Sequence, residues 1–75
     1  MNSPTFDYNR QTDTLYIKLR VGESVDNEIL DDGDIVIDIG TDGAPVGYEI
    51  QHASTKRDFI AAVILGDRAP AVAAE

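Results

Sequence analysis

No cysteine occurs in the 75 residues, so neither disulfides nor a thiolate zinc site can reinforce the fold. Histidine occurs once, at His52, and bases are scarce, with three Lys or Arg in the first 53 residues. Long apolar runs are also missing. No segment approaches the roughly 20 apolar residues that span a bilayer, and "MNSPTFDYNR" has no basic start leading into an apolar stretch. The chain therefore reads as a cytoplasmic protein of bacterial style, with no membrane partner. A chain this short buries only about 60% of the surface its unfolded form exposes, which predicts one small domain over residues 1–66 and a flexible tail over 67–75. Self-association into a homodimer would help so small a core.

Acids are abundant where bases are few. Fourteen Asp and Glu against six Lys and Arg give a net charge of -8, and residues 23–42 hold eight acids and no base. Nucleic-acid affinity rests largely on Lys and Arg displacing counterions from phosphates, so direct nucleic-acid binding is not expected. A basic protein partner fits the charge, although net charge also serves solubility alone.

Alternation of period two through the first fifty residues predicts half-buried strands. Phe6 and Tyr8 lead, and Leu15, Ile17 and Leu19 follow beyond a polar turn, pairing Tyr8 with Leu15 and Phe6 with Ile17. A weaker strand follows at Val25 to Leu30, and then "LDDGD", whose Asp and Gly tolerate left-handed turn conformations. The two runs of "DIVIDIGTDGAPVGYEIQ" hinge on Asp42-Gly43, a dipeptide suited to a type I′ hairpin with positive φ at both central residues. That turn would pair Ile39 with Val46, Ile37 with Tyr48 and Ile35 with Ile50 on one face. It would set Asp38 against Gly47 and Val36 against Glu49 on the other. Tyr16, Leu30 and Val36 stand in the opposite phase and would seed a second contact surface.

From "ASTKRDFIAAVILGDR" the period becomes helical, with Phe59, Ile60, Val63 and Ile64 on one side. Thr55 and Asp58 have capping-box spacing and Gly66 is a natural stop, predicting a helix over 55–65. The apolar run "FIAAVIL" is also compatible with a strand. The expected fold is α+β: a small antiparallel β-sheet, a meander of about five strands, with one C-terminal helix packed on its apolar face.

Few residues carry chemistry. His52 lacks a nearby acid on its own face, because Glu49 points to the opposite side of an extended strand, so His52 is expected to be a partly exposed side chain at a strand end. The acids from Asp31 to Asp42 fail as an EF-hand loop, since the glycine comes third and isoleucines stand at the fifth and seventh positions. No glycine-rich phosphate loop and no Ser-His-Asp set is readable, so no catalytic residue, cofactor or metal is assigned. Asp38 and Glu49 remain. The register places them on one sheet face, beside Tyr16 and Lys18 if the strands are sequential neighbours. Those four residues are the candidate ligand- or partner-binding set, either as cross-strand polar pairs or as a small-ligand or acid–base site.

"FDYNRQTDTLYIKL" and "GDIVIDIGTDGAPVGYEIQHAS", at their spacing, resemble the bacterial and archaeal family called domain of unknown function 2283. Its pattern is a tyrosine-aspartate start, Asp-x-Leu-Tyr-Ile, an acidic middle, and an Asp-Gly turn leading to Val-Gly-x-Glu-Ile and Ala-Ser. Asp13, Leu15, Tyr16, Ile17, Asp42, Gly43, Val46, Gly47, Glu49, Ile50, Ala53 and Ser54 occupy matching positions, while Asn9 stands where the family often has aspartate. The resemblance covers residues 6–54 and implies no established activity or catalytic residue. It does imply a likeness to antitoxin-like partners of small basic proteins. The expectation is a non-enzymatic interaction module.

Overall fold

The computed structural model describes residues 4–65. Gly66 and the tail expected at 67–75 lie outside that range. Five strands form one antiparallel sheet: β1 (Thr5–Asn9), β2 (Thr14–Lys18), β3 (Ser24–Leu30), β4 (Ile35–Gly40) and β5 (Pro45–Gln51). A short turn of helix, Ala53–Thr55, then leads to α1 (Arg57–Ile64). The α+β class, the antiparallel sheet and the C-terminal helix agree with the sequence reading, and the apolar run is helical over 59–64. No helix of the described residues is long and apolar enough to cross a membrane.

The strand order corrects the meander. It is β1-β2-β5-β4-β3, with β5 inserted between β2 and β4 and β3 displaced to an edge. Apolar content explains the exchange. A strand in the middle of the sheet must present side chains that can be buried against the helix, and β5 supplies Tyr48 and Ile50. On the same face β3 offers Asp26 and Glu28, opposite Ile39 and Ile37, which stay in water only at an edge.

Both hairpin registers hold where they matter. Tyr8 faces Leu15 and Phe6 faces Ile17. In the β4–β5 pair Ile35 faces Ile50, Ile37 faces Tyr48, Val36 faces Glu49 and Asp38 faces Gly47. The tip differs from the type I′ expectation. Gly43 has φ 83°, but Asp42 is not left-handed, and the Gly40 N–H bonds the Ala44 carbonyl at 2.8 Å. The loop therefore spans Thr41, Asp42 and Gly43, a three-residue connection closed by one left-handed glycine. That geometry pairs Ile39 with Pro45 rather than Val46, and the ladder recovers by a bulge before Gly47. Val46 is buried, yet it leaves the Tyr48 cluster and lies against Gly40, where a Cβ would fall 2.9 Å from its Cγ1. The "LDDGD" turn is left-handed as read, with φ of 54°, 57° and 94° at Asp31, Asp32 and Gly33.

The core joins Leu15, Ile17, Ile35, Ile37, Tyr48 and Ile50 to Ala53 and Val63, with Phe59 and Ile60 packed on its margin. Phe59 meets the Tyr48 ring edge-on at 5.7 Å. Leu30 packs against this cluster, opposite Ile35, so it does not belong with Tyr16 and Val36 on the second face. Ile64 is half-exposed at the helix end instead of joining the buried stripe. The capping box also fails. Thr55 donates its hydroxyl to the His52 carbonyl at 2.7 Å, and α1 starts at Arg57 behind Lys56 with no side-chain cap. The left-handed His52 (φ 54°) opens the intervening turn and claims the threonine first. Of the core side chains only Ile17 and Ile50 are fully buried. Truncating Ile50→Ala should remove about 2–5 kcal/mol, a large share of the stability of so small a domain, and urea unfolding should show loss of the cooperative transition or a much lower midpoint.

Candidate functional site

The helix covers one face of the sheet, and the other carries Tyr16, Lys18, Asp38 and Glu49. Direct cross-strand partners share a face, so the pairs Tyr16 with Glu49, Val36 with Glu49, Asp38 with Gly47 and Lys18 with Gly47 place all four together. Tyr16 reaches Glu49 because β2 pairs with β5, not because β2 and β3 are neighbours. The shared face holds, by a different adjacency from the one the sequence suggested.

Gly47 shapes this face. Its left neighbour is β2 and its right neighbour β4, and a Cβ there would lie 2.6 Å from the Tyr16 hydroxyl and 3.0 Å from the Ile17 carbonyl oxygen. The missing side chain lets the Tyr16 ring lie across β5 and donate its phenol to Asp38 Oδ2 at 3.0 Å. Asn27 Nδ2 donates to the other carboxylate oxygen at 2.9 Å. Three strands, β2, β3 and β4, are thereby tied by one carboxylate although β5 separates β2 from β4 in the sheet. Burial raises the Tyr16 pKa first, and the adjoining Asp38 raises it further. Asp38 thus accepts one side-chain hydrogen bond on each carboxylate oxygen, which fixes its orientation on the face. Lys18 is exposed, and no ion pair among the described residues includes it. A shallow groove of about 490 Å³ runs along this face past Asp7, Asn9, Thr14, Tyr16, Glu49 and Gln51.

Two further clusters escaped the sequence reading. Asp13, in a left-handed turn position (φ 56°), accepts the Tyr8 phenol at 2.7 Å, the Ser54 hydroxyl at 2.7 Å and the Ser54 N–H at 3.1 Å. Its own carbonyl accepts the Ala53 N–H at 2.9 Å. This latch fastens the β1–β2 turn to the chain entering the helix, and gives the matched Asp13 and Ala53-Ser54 a physical role. The second cluster gathers on Asp34. Lys56 Nζ lies 3.1 Å from Asp34 and 3.3 Å from Asp31, and His52 Nδ1 lies 3.2 Å from the same Asp34 oxygen. His52 is exposed as expected, but its acid is Asp34 on the neighbouring strand entry, a contact that sequence distance conceals. Asp42 serves its turn by accepting the Ala44 N–H and also pairs with Arg20 at 2.7 Å. Among the described residues no group of three or more His, Cys, Asp and Glu could hold a metal ion.

These contacts set a pH dependence. Hydrogen bonds from Tyr8 and Ser54 hold the Asp13 carboxyl below its ordinary range, Lys56 does the same for Asp34, and Arg20 for Asp42. A carboxyl depressed in the folded state stabilises the fold above its unfolded pKa of about 4, and that contribution is lost as pH falls through the folded value. Stability should therefore hold at neutral pH and fall on acidification below about pH 4, with Asp13→Asn less stable at pH 7 and flatter on the acid limb in a thermal-melt series. Gly47→Ala should cost about 1–3 kcal/mol through crowding against the Ile17 carbonyl. Because it also evicts the Tyr16 ring, the alkaline absorbance titration of that phenol should move back toward its ordinary value.

Neither the curated proteins nor the solved structures contain a match to this chain. One family model does match, over residues 5–54, and that span takes in the whole sheet, the Tyr16–Gly47–Asp38 crossing and the Asp13–Ser54 latch. The chain belongs to the family described as protein of unknown function (DUF2283).

Proposed function

We propose that this protein is a non-enzymatic interaction module that receives a basic protein partner, in the manner of an antitoxin-like neutralising subunit. The supporting observation is the way charge is segregated across the sheet. Arg10, Lys18 and Arg20 fall with β1 and β2 at one side, while the base-free stretch 23–42 forms β3, its turn and β4 at the other. Three acids of that stretch are paired with two bases from outside it: Asp42 with Arg20, and Asp31 and Asp34 with the one ammonium of Lys56. Glu23, Asp26, Glu28, Asp32 and Asp38 have no base among the described residues. Their field attracts a cationic surface and speeds its encounter, more strongly at low salt.

The chemistry of the open face supports binding over turnover. Tyr16 and Asn27 occupy both oxygens of Asp38, and the groove beside Glu49 is shallow. Affinity capture from the native cell at low and at high salt tests the reading. The expected outcome is one basic protein retained at low salt, released at high salt, and lost with the double substitution Asp26→Lys, Glu28→Lys. Retention of the same partner by that variant, or recovery of no protein at either salt, refutes the proposal. Chemical-shift changes clustered on Tyr16, Lys18, Asp38 and Glu49 with a metal and metabolite panel would favour the small-ligand alternative.

A further inference from the structure

The two edges of the sheet are finished differently. At β3 the ladder slips between Ser24 and Asp26, the Asn27 N–H is taken by the Asp26 carboxylate at 2.8 Å, and the Asp26 carbonyl accepts the Ser24 hydroxyl at 3.3 Å. A bulge, charged side chains and backbone groups already occupied are devices that keep another strand from adding to an edge. The β1 edge has neither a bulge nor occupied backbone groups. Within the described residues no side chain bonds a backbone group of Thr5 to Asn9, Asp7 is its one charge, and Phe6 and Tyr8 lie 50% and 48% exposed on the helix-covered face.

We propose that the β1 edge binds the β1 edge of a second copy of this chain, antiparallel about a two-fold axis, so that the two sheets become one. Charge selects this edge for self-association. Two chains of net charge -8 repel, but residues 4–22 carry Asp7 and Asp13 against Arg10 and Lys18, with Arg20 turned to Asp42, so the repulsion is least where β1 meets β1. The pairing brings the Phe6 and Tyr8 side chains of both copies together as an extension of the apolar face. Its register is offset from Asp7, since setting that residue opposite itself would juxtapose two carboxylates. Closure follows from the other edge. The joined sheet ends in β3 at both sides, both blocked, so association stops at the dimer. This surface replaces Tyr16, Leu30 and Val36 as the contact between copies and is independent of the acidic edge assigned to the basic partner.

Sedimentation of the full chain across a concentration series, together with amide exchange, tests the inference. The wild type should sediment at twice the chain mass, with amides in residues 5–9 gaining protection as concentration rises. Phe6→Lys should weaken association at least tenfold, whereas Ile29→Lys on β3 should leave it unchanged. A chain that stays monomeric throughout, or a dimer whose association weakens with Ile29→Lys and not with Phe6→Lys, overturns the proposal. Should Phe6→Lys fail to fold, the wild-type exchange data decide: edge amides that stay unprotected while the mass doubles refute it.

Discussion

The structure depends on β5 being flanked on both sides. Its residues pair with β2 through one set of backbone groups and with β4 through the other, and Ile50 is fully buried between Leu15 and Ile35. That arrangement joins the N-terminal hairpin to the acidic hairpin, which would otherwise be two marginal two-stranded ribbons. It also requires Gly47. Only a residue without a side chain lets Tyr16 pass over the central strand and bond a carboxylate on the strand beyond it.

Placing β5 in the middle decides what the edges are. The acid-rich β3 goes to one side, where Asp26 and Glu28 remain hydrated although they share a face with the core. The shorter β1, with a single charge, goes to the other. Among the described residues the result is a sheet with an acidic, self-blocked edge and a nearly neutral, open one. Binding a cationic partner at the first and a second copy at the second are compatible because the two surfaces lie at opposite ends of the strand order.

Local pairing was legible in the sequence because it follows from alternation and short connections. Tyr8 with Leu15, Ile37 with Tyr48 and Asp38 with Gly47 are each consequences of counting outward from a turn. The Ile39 register failed by one residue because Asp-Gly fits two loop lengths, and the choice between them rested on the bulge at Val46. The Thr55 cap failed because its hydroxyl found the His52 carbonyl first. Asn27, Asp34 with His52, and Asp13 with Ser54 could not be seen as partners, since 11, 18 and 41 residues separate them.

By itself the sequence determined the elements: strands from period-two alternation, a helix from the change of period after His52, left-handed turns at Asp-Gly sites, and an acidic middle without bases. Tertiary structure alone decided which strands are neighbours, and with that which acids are paired with bases and which edge is open. The physical reason is that alternation and turn chemistry act over a few residues, whereas strand order is settled by which apolar faces can be buried together against one short helix. Tyr16, Lys18, Asp38 and Glu49 share a face on either strand order, but only the observed one runs the Tyr16 phenol over Gly47 to Asp38.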